Sequence, residues 1–199
     1  MTSDSREVTK ADDEYWERTH PERPDRLKCI YEHLKVAGLL EGAVMVAGRE
    51  AEGDEMSIVH KKEHCAHVCA IDCCRTIDDD TFANEHSAVA AKLAVGTTID
   101  VVKAVMYGRA ANGIALVRPP GHHAEADRAM GFCLFNNVAC AARVAQKKMG
   151  AKRVLIFDWD GASAQPASAH FGGRISPARL AAAGRPPAVS RGLTTAVLY

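Results

Sequence analysis

The sequence predicts an α/β protein in which helices flank a parallel sheet. Two short apolar runs, at residues 114–117 and 154–157, carry no charged residue, as in strands buried on both faces. A helical pattern over 136–149 lies between them, and a longer one over 84–106 precedes the first run. Strands that alternate with helices of about ten residues or more are typical of parallel α/β sheets.

The segment before residue 84 is predicted to contain two helical regions and a short strand. The first helix begins at Asp25 and ends near Gly38, residues 44–47 form the strand, and a second helical region begins at Gly53. The apolar residues of the first helix recur at helical spacing: Leu27, Ile30, Tyr31, Leu34 and Ala37. For the helix over 84–106 we expect a buried face made of Val89, Leu93, Ile99, Val102 and Val105.

Composition excludes several classes of protein. The 199 residues include 25 Lys and Arg against 25 Asp and Glu, so neither a strongly basic nucleic-acid binder nor an acidic tail protein is expected. A hydrophobic fraction of 47% is too high for a wholly disordered chain. No apolar run reaches about 18 residues, and the N-terminus is polar, so we expect neither a membrane span nor a secretory signal. The seven cysteines are then expected to be reduced thiols in the nucleus or cytoplasm.

The chain divides into three parts by composition. Residues 1–14 form a polar lead-in, and residues 15–160 form the domain. Residues 161–199 hold ten Ala, five Gly, four Pro and four Arg, with no Lys and no acidic residue. This tail has no clear periodicity, so we expect it to be disordered.

Paired histidines follow the predicted strand at 114–117, and paired aspartates follow the predicted strand at 154–157. His122 and His123 come after a Pro-Pro-Gly turn, where adjacent imidazoles can act as general acid and base or can be ordinary surface residues. Asp158 and Asp160 alternate onto one face of their strand end. Two carboxylates so close repel each other unless a cation lies between them. This favours a metal site over the alternative, in which both carboxylates simply cap the strand end in solvent.

Two further groups carry weaker signals. The first group is the segment from Gly131 to Asn136, where the glycine permits a ligand to approach the backbone closely and Phe132 can form one side of an apolar pocket. Ordinary packing at the start of a helix explains the same residues. The second group has metal-ligand residue types at mixed spacing, and a structural zinc site is conceivable there. Buried cysteines commonly pack as small hydrophobes, so core packing is preferred for this group. Its members are His60, His64, Cys65, His67, Cys69, Cys73 and Cys74.

These motifs together resemble the zinc-dependent histone deacetylase family, most nearly its class II branch. The resemblance rests on Arg-Pro-Pro-Gly-His-His-Ala-Glu at 118–125, Gly-Phe-Cys at 131–133 and Asp-Trp-Asp at 158–160, with a weaker match at 20–26. It implies the N-terminal half of an arginase/deacetylase fold, a parallel sheet flanked by helices. The implied reaction is hydrolysis of the acetyl amide of acetyllysine by zinc-activated water.

The resemblance also implies a role for each matching residue. His122 and His123 would transfer protons, and Asp158 would orient His122 and contact a potassium ion. Asp160 would be a zinc ligand. The substrate would be bound by Gly131, Phe132 and Arg26.

The sequence departs from the family pattern after Asp160. Ala162 occupies the position where the family has a zinc-binding histidine, and the later aspartate ligand and oxyanion tyrosine have no match. We therefore expect the chain as written to be an inactive or weakly active form of a deacetylase of acetylated histones or other proteins. The alternative hypotheses are a non-catalytic remnant that binds corepressor proteins and a small metal-binding protein that uses the His/Cys group. No direct contact with nucleic acid or membrane is expected.

Overall fold

The computed structural model of the chain describes residues 20–158, 175–178 and 196–198. Five helices and six short strands lie in these residues. The helices are α1 Pro24–Val36, α2 Gly53–Met56, α3 Lys62–Cys69, α4 Ser87–Met106 and α5 Asn137–Lys148. The strands are β1 Arg75–Thr76, β2 Phe82–Ala83, β3 Ile114–Leu116, β4 Val154–Phe157, β5 Ile175–Ala178 and β6 Ala196–Leu198. No helix in the described ranges is both long and apolar enough to cross a membrane.

Parallel pairing is present, as the sequence predicts. β3 pairs in parallel with β6, and β4 pairs in parallel with β5, while β1 and β2 form a small antiparallel hairpin. Two segments of the tail that the sequence predicts to be disordered, Ile175–Ala178 and Ala196–Leu198, are strands in the structure. Each of these segments supplies backbone hydrogen bonds to an edge of a domain strand, a need that composition does not reveal. The remainder of the predicted tail and the lead-in at 1–14 lie outside the described residues.

The core lies where α4 and α5 pack against each other. Both helices contribute mainly small side chains there, including Ala91 and Val95 from α4 and Ala141 and Ala145 from α5. Small residues allow two helices to approach closely, so the contact buries alanines that a hydrophobicity pattern ranks low. A second cluster joins α4 to β3, and a third joins α5 to β4.

The buried face predicted for α4 is partly wrong. Ile99, Val102 and Val105 are buried as expected, but Val89 is 44% exposed and Leu93 is 39% exposed. The buried positions instead include Ala88, Ala91 and Ala94, because α4 contacts its neighbours through its small residues. The helix also begins at Ser87 and not at residue 84, since Asn84 forms a capping turn whose side-chain oxygen accepts from the His86 N–H at 3.0 Å.

Other local predictions also differ from the structure. Residues 44–47 form no strand, and α1 contains no buried residue, so its predicted apolar face is only partly covered. Ile114 of β3 is 49% exposed and Leu155 of β4 is 65% exposed, so neither strand is buried on both faces. Strand burial depends on layers that pack from elsewhere in the fold, and a short apolar run does not specify them.

Candidate active site

The loop after β3 carries the paired histidines and lies against the N-terminus of α5. A Cβ atom on Gly121 would lie 2.6 Å from the backbone nitrogen of Asn137, so only glycine permits this approach. The imidazole ring centroids of His122 and His123 are 4.2 Å apart, and both residues are partly buried. The two rings therefore lie beside each other after the carboxyl end of the strand, where ligands bind in parallel α/β sheets.

Asp158, directly after β4, contacts the first of these histidines. Its Oδ2 lies 3.1 Å from Nδ1 of His122, and the His122 side chain is only 14% exposed. When Nδ1–H donates to the carboxylate, the neutral imidazole carries its lone pair on Nε2. The structure thus brings together the histidine and the aspartate that the sequence places at two separate strand ends.

Gly131 and Phe132 form a tight turn against the second histidine. Both residues have left-handed backbone conformations, with φ of 56° and 67°. A Cβ on Gly131 would lie 2.6 Å from the ring of His123, so the glycine allows the turn to touch that ring. The Phe132 ring meets the ring of His20 edge to face, with centroids 4.6 Å apart.

Arg26 lies beside the residues that lead into the histidine loop. Its Nη2 donates to Glu22 Oε1 at 3.1 Å and approaches the carbonyl oxygen of Val117 at 3.5 Å. Glu22 also pairs with Arg118, with Nε and Oε2 2.6 Å apart. Arg26 is therefore near the predicted site, held by a carboxylate that links it to the Pro-Pro-Gly turn.

Two asparagines that were not among the predicted site residues hold the histidine loop. Asn136 caps α5, because its Oδ1 accepts from the Ala139 N–H at 3.1 Å, and its Nδ2 donates to the Ala124 carbonyl at 3.2 Å. Asn137 donates from Nδ2 to the Pro119 carbonyl at 3.1 Å. An Asn immediately before an alanine-rich helix is a recognisable capping signal, but its second bond to the loop is not visible in sequence.

His60 and His64 are buried, and they hydrogen-bond the backbone just before α5. The Nε2 of His60 accepts from the Asn136 N–H at 2.9 Å, and the Nε2 of His64 donates to the Leu134 carbonyl at 2.9 Å. Both rings also pack against Phe135. Burial lowers the pKa of His64, which keeps its imidazole neutral. For these two histidines, the preferred interpretation as core residues agrees with the structure.

The described residues do not form a metal centre by themselves. Over 20–158 and the two short strands that follow, no three His, Cys, Asp or Glu side chains are grouped to hold a metal ion. His67, Cys69 and Cys73 are exposed, so core packing is wrong for these three members of the group. Asp160 and Ala162 lie outside the described residues, so the role of Asp160 as a zinc ligand stays a prediction. The contact of Asp158 with a potassium ion is likewise a prediction.

Replacing Asn136 with alanine is expected to destabilise the fold by about 2 kcal/mol. The change removes a helix cap, which contributes about 1 kcal/mol, and leaves the buried Ala124 carbonyl without its side-chain donor. Thermal unfolding monitored by circular dichroism measures the effect. Asn112→Ala, at an exposed loop position, is the control and should change the melting temperature little. Equal melting temperatures for the two variants would contradict this role.

Solved structures and family comparisons agree with this architecture. The chain matches the crystal structure of the HDA15 HD domain with a TM-score of 0.68 and 49% sequence identity, over 71% of this chain and 40% of that chain. The predicted α/β fold of the arginase/deacetylase type is thereby confirmed. The histone deacetylase domain family matches residues 20–161. The chain therefore belongs to the histone deacetylase family.

Curated relatives place the match in the same family. Histone deacetylase 15 of Arabidopsis thaliana is 47% identical over 163 residues, which cover 79% of this chain and 29% of that protein. The polyamine deacetylase HDAC10 of Rattus norvegicus is 41% identical over 150 residues, covering 70% of this chain and 25% of that protein. The chain thus spans less than a third of the length of either relative.

Proposed function

We propose that residues 20–158 form the proton-transfer side of a lysine deacetylase site, which hydrolyses the acetyl amide of acetyllysine. The observation that carries this proposal is the contact between His122 Nδ1 and Asp158 Oδ2, with the His123 ring alongside. Membership of the histone deacetylase family supports amide hydrolysis as the chemistry.

In this proposal the two imidazoles move protons at opposite stages of the reaction. Asp158 holds His122 so that its Nε2 takes a proton from the attacking water, and His123 gives a proton to the departing lysine amine. Gly131 and Phe132 wall the side of the site next to His123, where the acyl chain would lie. The described side chains do not fit a zinc ion, so no step here depends on one.

The substrate proposed is an acetylated histone or another acetylated protein, in the nucleus or the cytoplasm. Two relatives differ in their names, one a histone deacetylase and the other a polyamine deacetylase, so acetylated small amines belong in the same assay. No direct nucleic-acid or membrane partner is proposed.

His123→Ala is expected to lower the turnover of an acetyllysine peptide by about 100-fold or more, the usual contribution of a positioned acid or base. The measurement is acetate release by the purified full chain, with zinc supplied and with a chelator. His86→Ala is the matched control, because the His86 side chain is 84% exposed and makes no helix-capping bond. Turnover that survives His123→Ala would contradict the proposal.

A non-catalytic role is the second candidate. It is favoured by one observation: the part of the chain that the structure describes contains no group of three metal-ligating side chains. Such a chain would bind other proteins, for example corepressors, without hydrolysing an amide. A folded wild-type chain with no turnover in the assay above would favour this candidate over the first.

A further inference from the structure

The turn from Met130 to Cys133 touches both parts of the candidate site. Met130 and Cys133 bond each other through their backbones, with N···O distances of 3.1 and 3.0 Å. Between them, Gly131 touches the His123 ring and Phe132 presents its own ring beside His20. The conformation of this short turn therefore sets the distance between the proposed acyl wall and one proton-transfer imidazole.

Phe132 adopts a backbone conformation that a residue with a side chain rarely adopts. Its φ is 67°, in the left-handed region, where every residue except glycine pays a steric cost. Such a conformation persists only when surrounding contacts hold it. Besides the Met130–Cys133 backbone bonds, a side chain from outside the turn acts on the Phe132 backbone: the Oγ1 of Thr81 accepts the Phe132 N–H at 3.0 Å.

Thr81 is well placed to hold that bond. Thr81 is only 1% exposed, and its hydroxyl donates to Asp80 Oδ1 at 2.9 Å. Because the hydroxyl hydrogen is directed to Asp80, a lone pair of the oxygen faces the Phe132 N–H. The Thr81 carbonyl accepts the Ile77 N–H at 2.8 Å, so the hairpin formed by β1 and β2 holds the residue in place.

We propose that Thr81 is a positioning residue for acetyllysine: its hydroxyl holds Phe132 in the left-handed turn and, through Gly131, sets the place of the His123 ring. The inference rests on the proposed function, because it assigns the turn to the acyl wall. Thr81 itself contacts neither the proposed acyl chain nor the moving proton, and it acts through the Phe132 backbone. Loss of the hydroxyl should therefore affect substrate affinity more than the global fold.

Hydrogen exchange tests the local part of the inference in the full-length chain. Thr81→Val keeps the shape of the side chain and removes the hydroxyl, while Thr81→Ser keeps the hydroxyl. We expect the Phe132 amide to exchange about tenfold faster in Thr81→Val and within about twofold of wild type in Thr81→Ser. The core amides of Val95 and Val144 should exchange at unchanged rates. Uniformly faster exchange across the core, or an unchanged Phe132 amide, would overturn the inference.

Peptide binding tests the functional part. Fluorescence anisotropy with a labelled acetyllysine peptide should show about tenfold weaker binding by Thr81→Val, with wild-type affinity restored in Thr81→Ser. The unacetylated peptide serves as the control ligand. Faster exchange at Phe132 with unchanged peptide affinity overturns the inference and leaves the proposed function intact. A wild-type chain that does not distinguish the two peptides overturns the proposed function and, with it, the assignment of this turn to acetyllysine.

Discussion

Gly96→Ala is expected to reduce the free energy of unfolding by about 3 kcal/mol or more. Gly96 lies in the middle of α4, and a Cβ there would lie 2.2 Å from the Arg49 carbonyl oxygen and 2.8 Å from the Ala51 nitrogen. The Ala51 N–H also donates to the Lys92 carbonyl of α4 at 2.9 Å, so this backbone crosses the helix in contact with it. Alanine favours a helix over glycine by about 1 kcal/mol, but that gain is smaller than the cost of displacing a bonded backbone.

Thermal unfolding of the full chain measures this effect, and a fall in melting temperature of about 10 °C is expected for a domain of this size. Gly53→Ala is the matched control, because a Cβ at Gly53 meets nothing within 4 Å and its φ is not positive. The control should leave the melting temperature nearly unchanged. A Gly96→Ala protein as stable as the control would show that the crossing segment moves away without cost.

Arg49→Ala is expected to cost about 2–3 kcal/mol, since it removes one partner from a largely buried ion pair. Arg49 donates to Glu55 Oε2 at 2.7 Å and to Asp100 Oδ2 at 3.0 Å, and so joins α2 to α4. The Glu55 side chain is only 7% exposed, so the substitution leaves its carboxylate with little access to water. Lys148→Ala is the control: Lys148 pairs with Asp54 at 2.7 Å, but the two side chains are 44% and 63% exposed, and such surface pairs contribute about 1 kcal/mol or less.

The effect of Arg49→Ala should depend on pH in a defined direction. The hydrogen bond from Arg49 holds the pKa of Glu55 below its ordinary value of 4.5. The folded state therefore prefers the ionised carboxylate, and its stabilisation is complete above the unfolded pKa and lost as pH falls through the folded pKa. The difference in melting temperature between wild type and Arg49→Ala should stay constant from about pH 6 to 8 and shrink below about pH 4. A difference independent of pH down to pH 3 would contradict this assignment.

Much of the local structure, and the proximity of two candidate site residues, was predictable. The helix over 136–149 corresponds to α5, and the apolar run at 154–157 corresponds to β4. His122 and Asp158 follow separate strands in the sequence, and they meet in the structure at 3.1 Å. The contact is the one that the family resemblance implies, and it lies at the carboxyl ends of two parallel strands, although β3 pairs with β6 and β4 pairs with β5.

Burial was predicted less well than element type. A hydrophobic pattern assigned Val89 and Leu93 to the core, but the structure buries the alanines of α4 and exposes these larger residues. A pattern weights side chains by hydrophobicity, whereas helix packing also selects side chains small enough for close approach. Residues 44–47 were predicted to be a strand and form none. A strand needs a neighbouring strand to pair with, and four apolar residues do not supply one.

The sequence by itself determined the chemical groups of this protein and their places along the chain: two adjacent imidazoles after β3, a carboxylate directly after β4, and a glycine before Phe132. Only the tertiary structure decided what holds those groups in place. The Thr81 hydroxyl bonds a residue 51 positions later, and His60 bonds one 76 positions later. Local sequence patterns report contacts within a few residues, while contacts at such separations exist only when the whole core packs in one arrangement.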